Sequence, residues 1–142
     1  MTDTGEPEID LLSHYARSLG IEVSGFEDGV PVLCVSGIDA IEGRPGHFHG
    51  GATSGLMETA AYALLRLALH ERGEHAQLKP INITVQFLAA AKKEPLFAKA
   101  RITKLGRRSA NVTVEAWQEE RDRPRASAVM NVMIARSEPD AD

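Results

Sequence analysis

The chain holds a single cysteine, Cys34, among its 142 residues. One thiol excludes an intrachain disulfide and a cysteine-built metal site, and makes a cytoplasmic residence the default expectation. Positive charge is also short. Sixteen Lys and Arg stand against 20 Asp and Glu, a net charge of -4, so no general field draws in nucleic acid or an anionic membrane surface. The first ten residues, MTDTGEPEID, contain neither an apolar stretch nor an arginine, unlike a secretory or transit peptide.

Long apolar runs are scarce as well. Residues 52–69 alone approach the length of a membrane span, and Glu58 and Arg66 interrupt them, which fits a buried helix of a globular protein and no membrane partner. What remains is ordinary: 43% hydrophobic and 25% charged residues make one domain, 1–142, with room for a core. The ends, about 1–6 and 136–142, are rich in acidic residues, Pro, Ser and Thr and are expected to fray.

Periodicity orders the rest. Ile9, Leu12, Tyr15, Ala16 and Leu19 fall at three- and four-residue spacing before Gly20, predicting a short helix over 8–19. IEVSGFEDGVPVLCVSG reads as a hairpin turning at Glu27, Asp28 and Gly29, with Pro31 at an edge or a strand start. The glycine-rich residues 36–50 form a loop leading into the long helix, which stops near Gly73. Beyond it, Ile81, Ile83, Val85 and Phe87 alternate with Asn82, Thr84 and Gln86, a strand. PLFAKARITKLG, SANVTVEAWQE and RASAVMNVMIA follow, separated by Gly106-Arg107-Arg108 and by residues 120–124. Helix, two strands, long helix, four strands is an α+β pattern. The hairpin-linked late strands favour an antiparallel sheet, curved around a helix that is apolar nearly all round.

Inside that helix, Glu58 has little exposed surface to occupy. Leu56, Ala60, Ala63 and Leu67 fill one stripe, with Met57, Ala61, Leu64 and Ala68 beside it. Its helical neighbours Ser54, Ala61 and Tyr62 carry no positive charge. The carboxylate either reaches an exposed edge, meets a cation from elsewhere, or sits desolvated with a raised pKa. Just ahead lies His49-Gly50-Gly51, where the first backbone N-H groups of the helix lack internal partners and the dipole is positive. Such a turn polarises a carbonyl or holds an oxyanion, though Gly-Gly is also an ordinary entry into a helix.

LGIEV, EDG and GHFHGG followed by a carboxylate on a long helix, then ITVQFLAAAKKEPLFAKARITKLGR, together resemble the PaaI-like acyl-CoA thioesterases over roughly residues 19–135. The resemblance implies the hotdog fold, an antiparallel curved sheet wrapped around a central helix, and hydrolysis of an acyl-CoA with no cofactor beyond the coenzyme A of the substrate. It implies that the N-H of Gly50, with Gly51, polarises the thioester carbonyl, and that Glu58 is nucleophile or general base. Gly46 matches the glycine three residues before His49, which itself braces the loop. Arg107 and Arg108 match a turn that meets coenzyme A phosphates, with solvated hairpin charges as the equal alternative. Family members form homodimers, edge to edge, commonly as dimers of dimers.

One departure stands out. Many relatives carry Asn or Gln six residues before the histidine, where this chain has Gly43, so Arg44, His47 or a partner subunit would have to replace that side chain. Met57, Phe87 and Trp117 are candidates for the acyl tunnel, although a Met or aromatic at an apolar position is usually core, and Tyr62 either lines the pocket or packs in the core. His47 and His49 lack a third ligand at metal spacing, so no metal is expected. A hydratase would need an Asp and His pair after the loop, which is missing. A non-catalytic hotdog that binds an acyl-CoA or aromatic ligand is the alternative that Gly43 favours.

Overall fold

The computed structural model describes residues 9–136. Residues 1–6 and 137–142, expected to fray, lie outside that range, whereas Arg136 ends a strand. The elements run α1 (His14–Ser18), β1 (Ile21–Glu27), β2 (Val30–Val35), a 3-10 turn (Asp39–Ile41), α2 (Gly50–Glu71), β3 (Ala76–Phe87), β4 (Leu96–Leu105), β5 (Ser109–Trp117) and β6 (Ala126–Arg136). The first helix is shorter than its periodicity predicts. The Ser13 hydroxyl accepts the N-H of Ala16 and starts the helix there, as N-caps do, so Ile9 and Leu12 approach the core from an extended segment.

The six strands form one antiparallel curved sheet in the order β1-β2-β4-β5-β6-β3. The hairpin β1–β2 turns on Asp28 and Gly29, both at positive φ, the geometry that matches the twist of the flanking strands. Pro31 pairs with Phe26 and precedes the β2–β4 ladder, which begins at Val32. It is therefore a strand-start proline, and its missing N-H costs the sheet nothing. β3 returns to the outside of β6 and begins at Ala76, five residues earlier than the alternation predicts. A bulge between Pro80 and Asn82 breaks the period of two there, which hides the first half of the strand from a pattern reading.

α2 lies across the inner face and packs mainly on β4 and β2. Small residues meet small residues at this seam. Ala60, Ala61 and Ala63 of the helix and Ala98, Ala100 and Ala116 of the sheet are all buried, so the helix settles close to the strands at interior packing density. Leu56, Met57 and Leu65 fill the remaining space. One line of α2 stays half open: Ser54, Glu58, Tyr62 and Arg66, four residues apart. No helix among the described residues is long and apolar enough to cross a membrane.

The register sets which end of the sheet meets which end of the helix. Phe87 pairs with Ala126, and the Phe87 ring lies against Gly50 at the start of α2. At the other end Ala76 pairs with Arg136, whose guanidinium binds Glu74 at 2.8 Å just past the helix.

Candidate active site

The loop into α2 is stitched down before it delivers His49. Pro45 and Gly46 form a turn closed by the His47 N-H on Arg44 O at 3.0 Å, with Gly46 at φ 79°, the type II pattern that needs glycine at its third position. Glu42 accepts the Gly46 N-H at 2.6 Å and pairs with Lys93. The Phe48 N-H donates to Ala91 O, and the His49 N-H to Ile41 O. Buried Gln118 fixes the facing connection by accepting the Lys92 N-H and donating to Lys92 O and Glu94 O. Two loops are thereby held against each other at the helix N-terminus.

His49 is the N-cap of α2, and its Nδ1 accepts the N-H of Gly51 at 2.8 Å. The imidazole proton then sits on Nε2. The two glycines consequently differ. The Gly51 N-H is taken, whereas among the described residues nothing accepts the N-H of Gly50, and it stands at the positive end of a helix of 22 residues. Gly43 lies behind this turn, where a Cβ would come within 3.0 Å of His49 Cα. The His49 backbone fills the space in which a longer side chain at position 43 would begin.

Gly50 opens on a cavity of about 300 Å³. Phe48, Phe87 and three alanines, 89–91, give it an apolar wall, Thr53 adds a hydroxyl-bearing side chain, and Arg44 and Arg125 give it positive charge, with the His47 ring beside them. Phe87, a candidate from the strand pattern, is thus at the cavity, with 58% of its surface exposed. Arg125 and Thr53 escaped the sequence reading. Arg125 stands in the charged turn RDRPR, where nothing distinguishes it from solvated neighbours, and Thr53 looks like any small residue of a buried helix.

Glu58 sits two turns along α2, on the half-open line. Burial pushes its carboxyl above the ordinary value, because desolvation disfavours the charged form. Among the described residues it has no ion pair or hydrogen bond. Tyr62, one turn on, is raised too, by burial first and then by the Glu58 charge. The Arg66 guanidinium stacks over the Tyr62 ring at 5.8 Å, facing away from a role as partner to Glu58.

The other candidates scatter. Met57 is wholly buried in the core and is absent from the cavity wall. Trp117 pairs with Phe97, whose ring stacks on it at 6.0 Å, and lies under Arg121. Phe97 and Trp117 alternate with the buried Ala98 and Ala116, so they lie on the sheet face away from α2. Arg107 and Arg108 occupy the β4–β5 turn, where Arg108 O accepts the Ile134 N-H. That is the helix C-terminal end, so one chain does not bring them to Gly50. Among the described residues, no three His, Cys, Asp or Glu side chains converge as metal ligands.

Curved sheet and enclosed helix define the hotdog architecture. The model of the thioesterase superfamily matches residues 45–124, and the chain belongs to that superfamily. Among solved structures it is similar to a thioesterase from Haemophilus influenzae, at 19% identity and TM-score 0.78, covering 90% of this chain and 87% of that one. It is also similar to a phenylacetic acid degradation-related protein from Ralstonia eutropha, at 22% identity and TM-score 0.73 over 86% and 90% of the two chains. A mutant thioesterase enzyme from Staphylococcus aureus shares 20% identity and TM-score 0.73 over 87% and 99%. No curated protein matches the chain.

Proposed function

We propose that the protein hydrolyses an acyl-CoA thioester to the free acid and coenzyme A. The observation that carries this reading is the pair of groups on one helix: an unclaimed N-H at Gly50 and, eight residues on, a partnerless carboxyl raised by burial at Glu58. Eight residues rise about 12 Å. Helical side chains lean toward the N-terminus, which shortens that separation, while the same eight residues carry Glu58 about 80° round the axis from Gly50 and off the cavity wall. In this reading a thioester carbonyl on the Gly50 N-H and one water molecule bridge the distance that remains to the Glu58 carboxylate.

In this arrangement Glu58 works as a general base. The water oxygen bonds to the carbonyl carbon while Glu58 takes its proton. Negative charge gathers on the carbonyl oxygen and is stabilised by the Gly50 N-H and the helix dipole. The oxyanion collapses, the carbon–sulfur bond breaks, and the thiolate leaves and takes up a proton. Gly51 acts indirectly, because its N-H holds the His49 ring, and His49 is a positioning residue. Tyr62 stands one turn beyond the carboxyl on the same half-open line, and Met57 backs the helix from within the core. The scheme calls for water and these groups, with no metal or redox cofactor.

The assembly belongs to the same reading. β3 is a strand of 12 residues at the sheet edge, and an uncovered edge of that length invites another strand. A second copy joined antiparallel along β3 in a homodimer would carry its own turn at 106–108 toward this Gly50, and two such dimers would make a tetramer. Arg107 and Arg108 would then meet coenzyme A phosphates across the interface. Cytoplasmic residence, argued from the lone cysteine, completes the proposal.

The rival reading, a hotdog that binds an acyl-CoA or aromatic ligand without cleaving it, draws on Gly43. Free-thiol release from a panel of acyl-CoAs separates the two, with Glu58→Ala beside the wild type. Cleavage by the wild type and its loss in the variant is the expected result. Equal cleavage by both would remove Glu58 from the mechanism, and none by either would favour the binding protein.

A further inference from the structure

The cavity at Gly50 has positive charge on its wall and no negative charge, in a chain whose net charge is -4. Elsewhere among the described residues six of the fourteen other Lys and Arg side chains, Arg17, Lys93, Lys99, Arg121, Arg123 and Arg136, meet a carboxylate, and eight do not. Among the described residues Arg44 and Arg125 meet none. Arg125 donates through one Nη1 to Ala90 O at 3.0 Å, which holds the side chain at the wall and leaves most of its donor fork open. His47 stands beside them, its Nδ1 at 3.1 Å from Pro45 O.

Size decides which anion these arginines fit. A rounded cavity of about 300 Å³ is about 8 Å across. The nearest phosphate of coenzyme A lies thirteen bonds from its sulfur, about 15 Å when extended, so that phosphate reaches well beyond a cavity whose carbonyl is held at Gly50. An anion on the acyl side does not. We infer that the acyl group itself ends in a carboxylate, so that the substrate is the monothioester of a short dicarboxylic acid. Its carbonyl rests on the Gly50 N-H, its few carbons on Phe48, Phe87 and Ala90, and its free acid on Arg44 and Arg125, where a bidentate guanidinium–carboxylate pair forms. This inference rests on the thioesterase reading for the place of the carbonyl.

Binding tests it apart from cleavage. Ketone analogues with a methylene inserted between sulfur and carbonyl resist hydrolysis, and a glutaryl analogue is compared with a pentanoyl one by calorimetry on the wild-type protein. The glutaryl analogue is expected to bind at least tenfold more tightly, since its free acid gains charge-assisted hydrogen bonds that the pentanoyl methyl lacks. Arg44→Ala and Arg125→Ala should each bring that ratio toward one. Arg125→Gln, which keeps a polar N-H donor without the charge, should do the same and separates charge from the loss of a side chain. A wild-type ratio at or below one overturns the inference, as does a ratio that the variants leave unchanged. The comparison is repeated with analogues on pantetheine, which has no phosphate. If the arginine variants weaken both coenzyme A analogues equally and neither pantetheine analogue, the bound anion is a phosphate and the inference falls. Failure to cleave any thioester would instead count against the proposed hydrolysis and would leave these affinities readable.

Discussion

The imidazole of His49 accepts the Gly51 N-H at 2.8 Å, and this one hydrogen bond makes two adjacent glycines unlike. It ties the loop to the helix and leaves the Gly50 N-H as the donor that faces the cavity. His49→Ala should cost about 1 kcal/mol of stability in urea unfolding, the usual worth of an N-cap. His49→Asn, with an oxygen able to accept the same N-H, should recover most of that loss. If alanine and asparagine are equally stable, the cap contributes nothing.

Glu58 links activity to pH through its burial. The base must be ionised, and desolvation raises its carboxyl above the ordinary 4.5. The acid limb of kcat/KM should therefore fall off with an apparent pKa above that value. Glu58→Gln should lower kcat at least about 100-fold, the low end of general-base contributions. An acid limb at or below 4.5 would mean that some other group titrates.

The same shift acts on folding, with its sign fixed by linkage. A carboxyl whose folded pKa is raised binds its proton more tightly folded than unfolded, so wild-type stability falls as pH rises from the ordinary glutamate value through the raised one. Glutamine carries no such term. Glu58→Gln should thus gain on the wild type across that window and keep its advantage at neutral pH, read from urea midpoints at several pH values. A variant that loses stability with rising pH relative to wild type would show that Glu58 has a stabilising partner.

Much of this architecture is legible in the sequence alone. The period of two in β3 to β6, the apolar helix and the turn residues specify the architecture because each local preference agrees with the whole. Glu58 stood out because a charge in an apolar run has few places to go. Pattern failed where a bulge at Ile81 shifted the phase of β3 and where Ser13 started α1 late. Period alone does not say which face of a curved sheet meets the helix, so it leaves the side of Trp117 open. Arg125 was invisible for another reason: its neighbours in sequence are charged, and only the fold carries it across to the wall beside Gly50.

Gly43 can be tested in the direction opposite to its departure from the family pattern. A Cβ there meets His49 Cα at 3.0 Å and His49 N at 3.3 Å, both backbone atoms that cannot swing aside. Gly43→Asn should cost about 1–3 kcal/mol, as overpacking does, and should lower activity by displacing His49 and its cap. An active, fully stable Gly43→Asn would show that the loop has room for the amide.

Gly50 meets a softer neighbour. A Cβ there would lie 3.3 Å from Phe87 Cζ, the tip of a ring with 58% of its surface exposed. Gly50→Ala should therefore leave urea stability nearly unchanged, since the ring can turn outward and alanine suits a first helical turn. The ring would then give up its place on the cavity wall, and KM for a short acyl-CoA should rise about tenfold. Phe87→Ala should raise KM as well, by widening the same wall. In the double variant the two effects should fall short of adding, with a coupling of about 1 kcal/mol, as for residues in contact. Strict additivity would mean that Phe87 and the Gly50 N-H serve different parts of the substrate, and it would remove the aromatic ring from the place where the carbonyl is held.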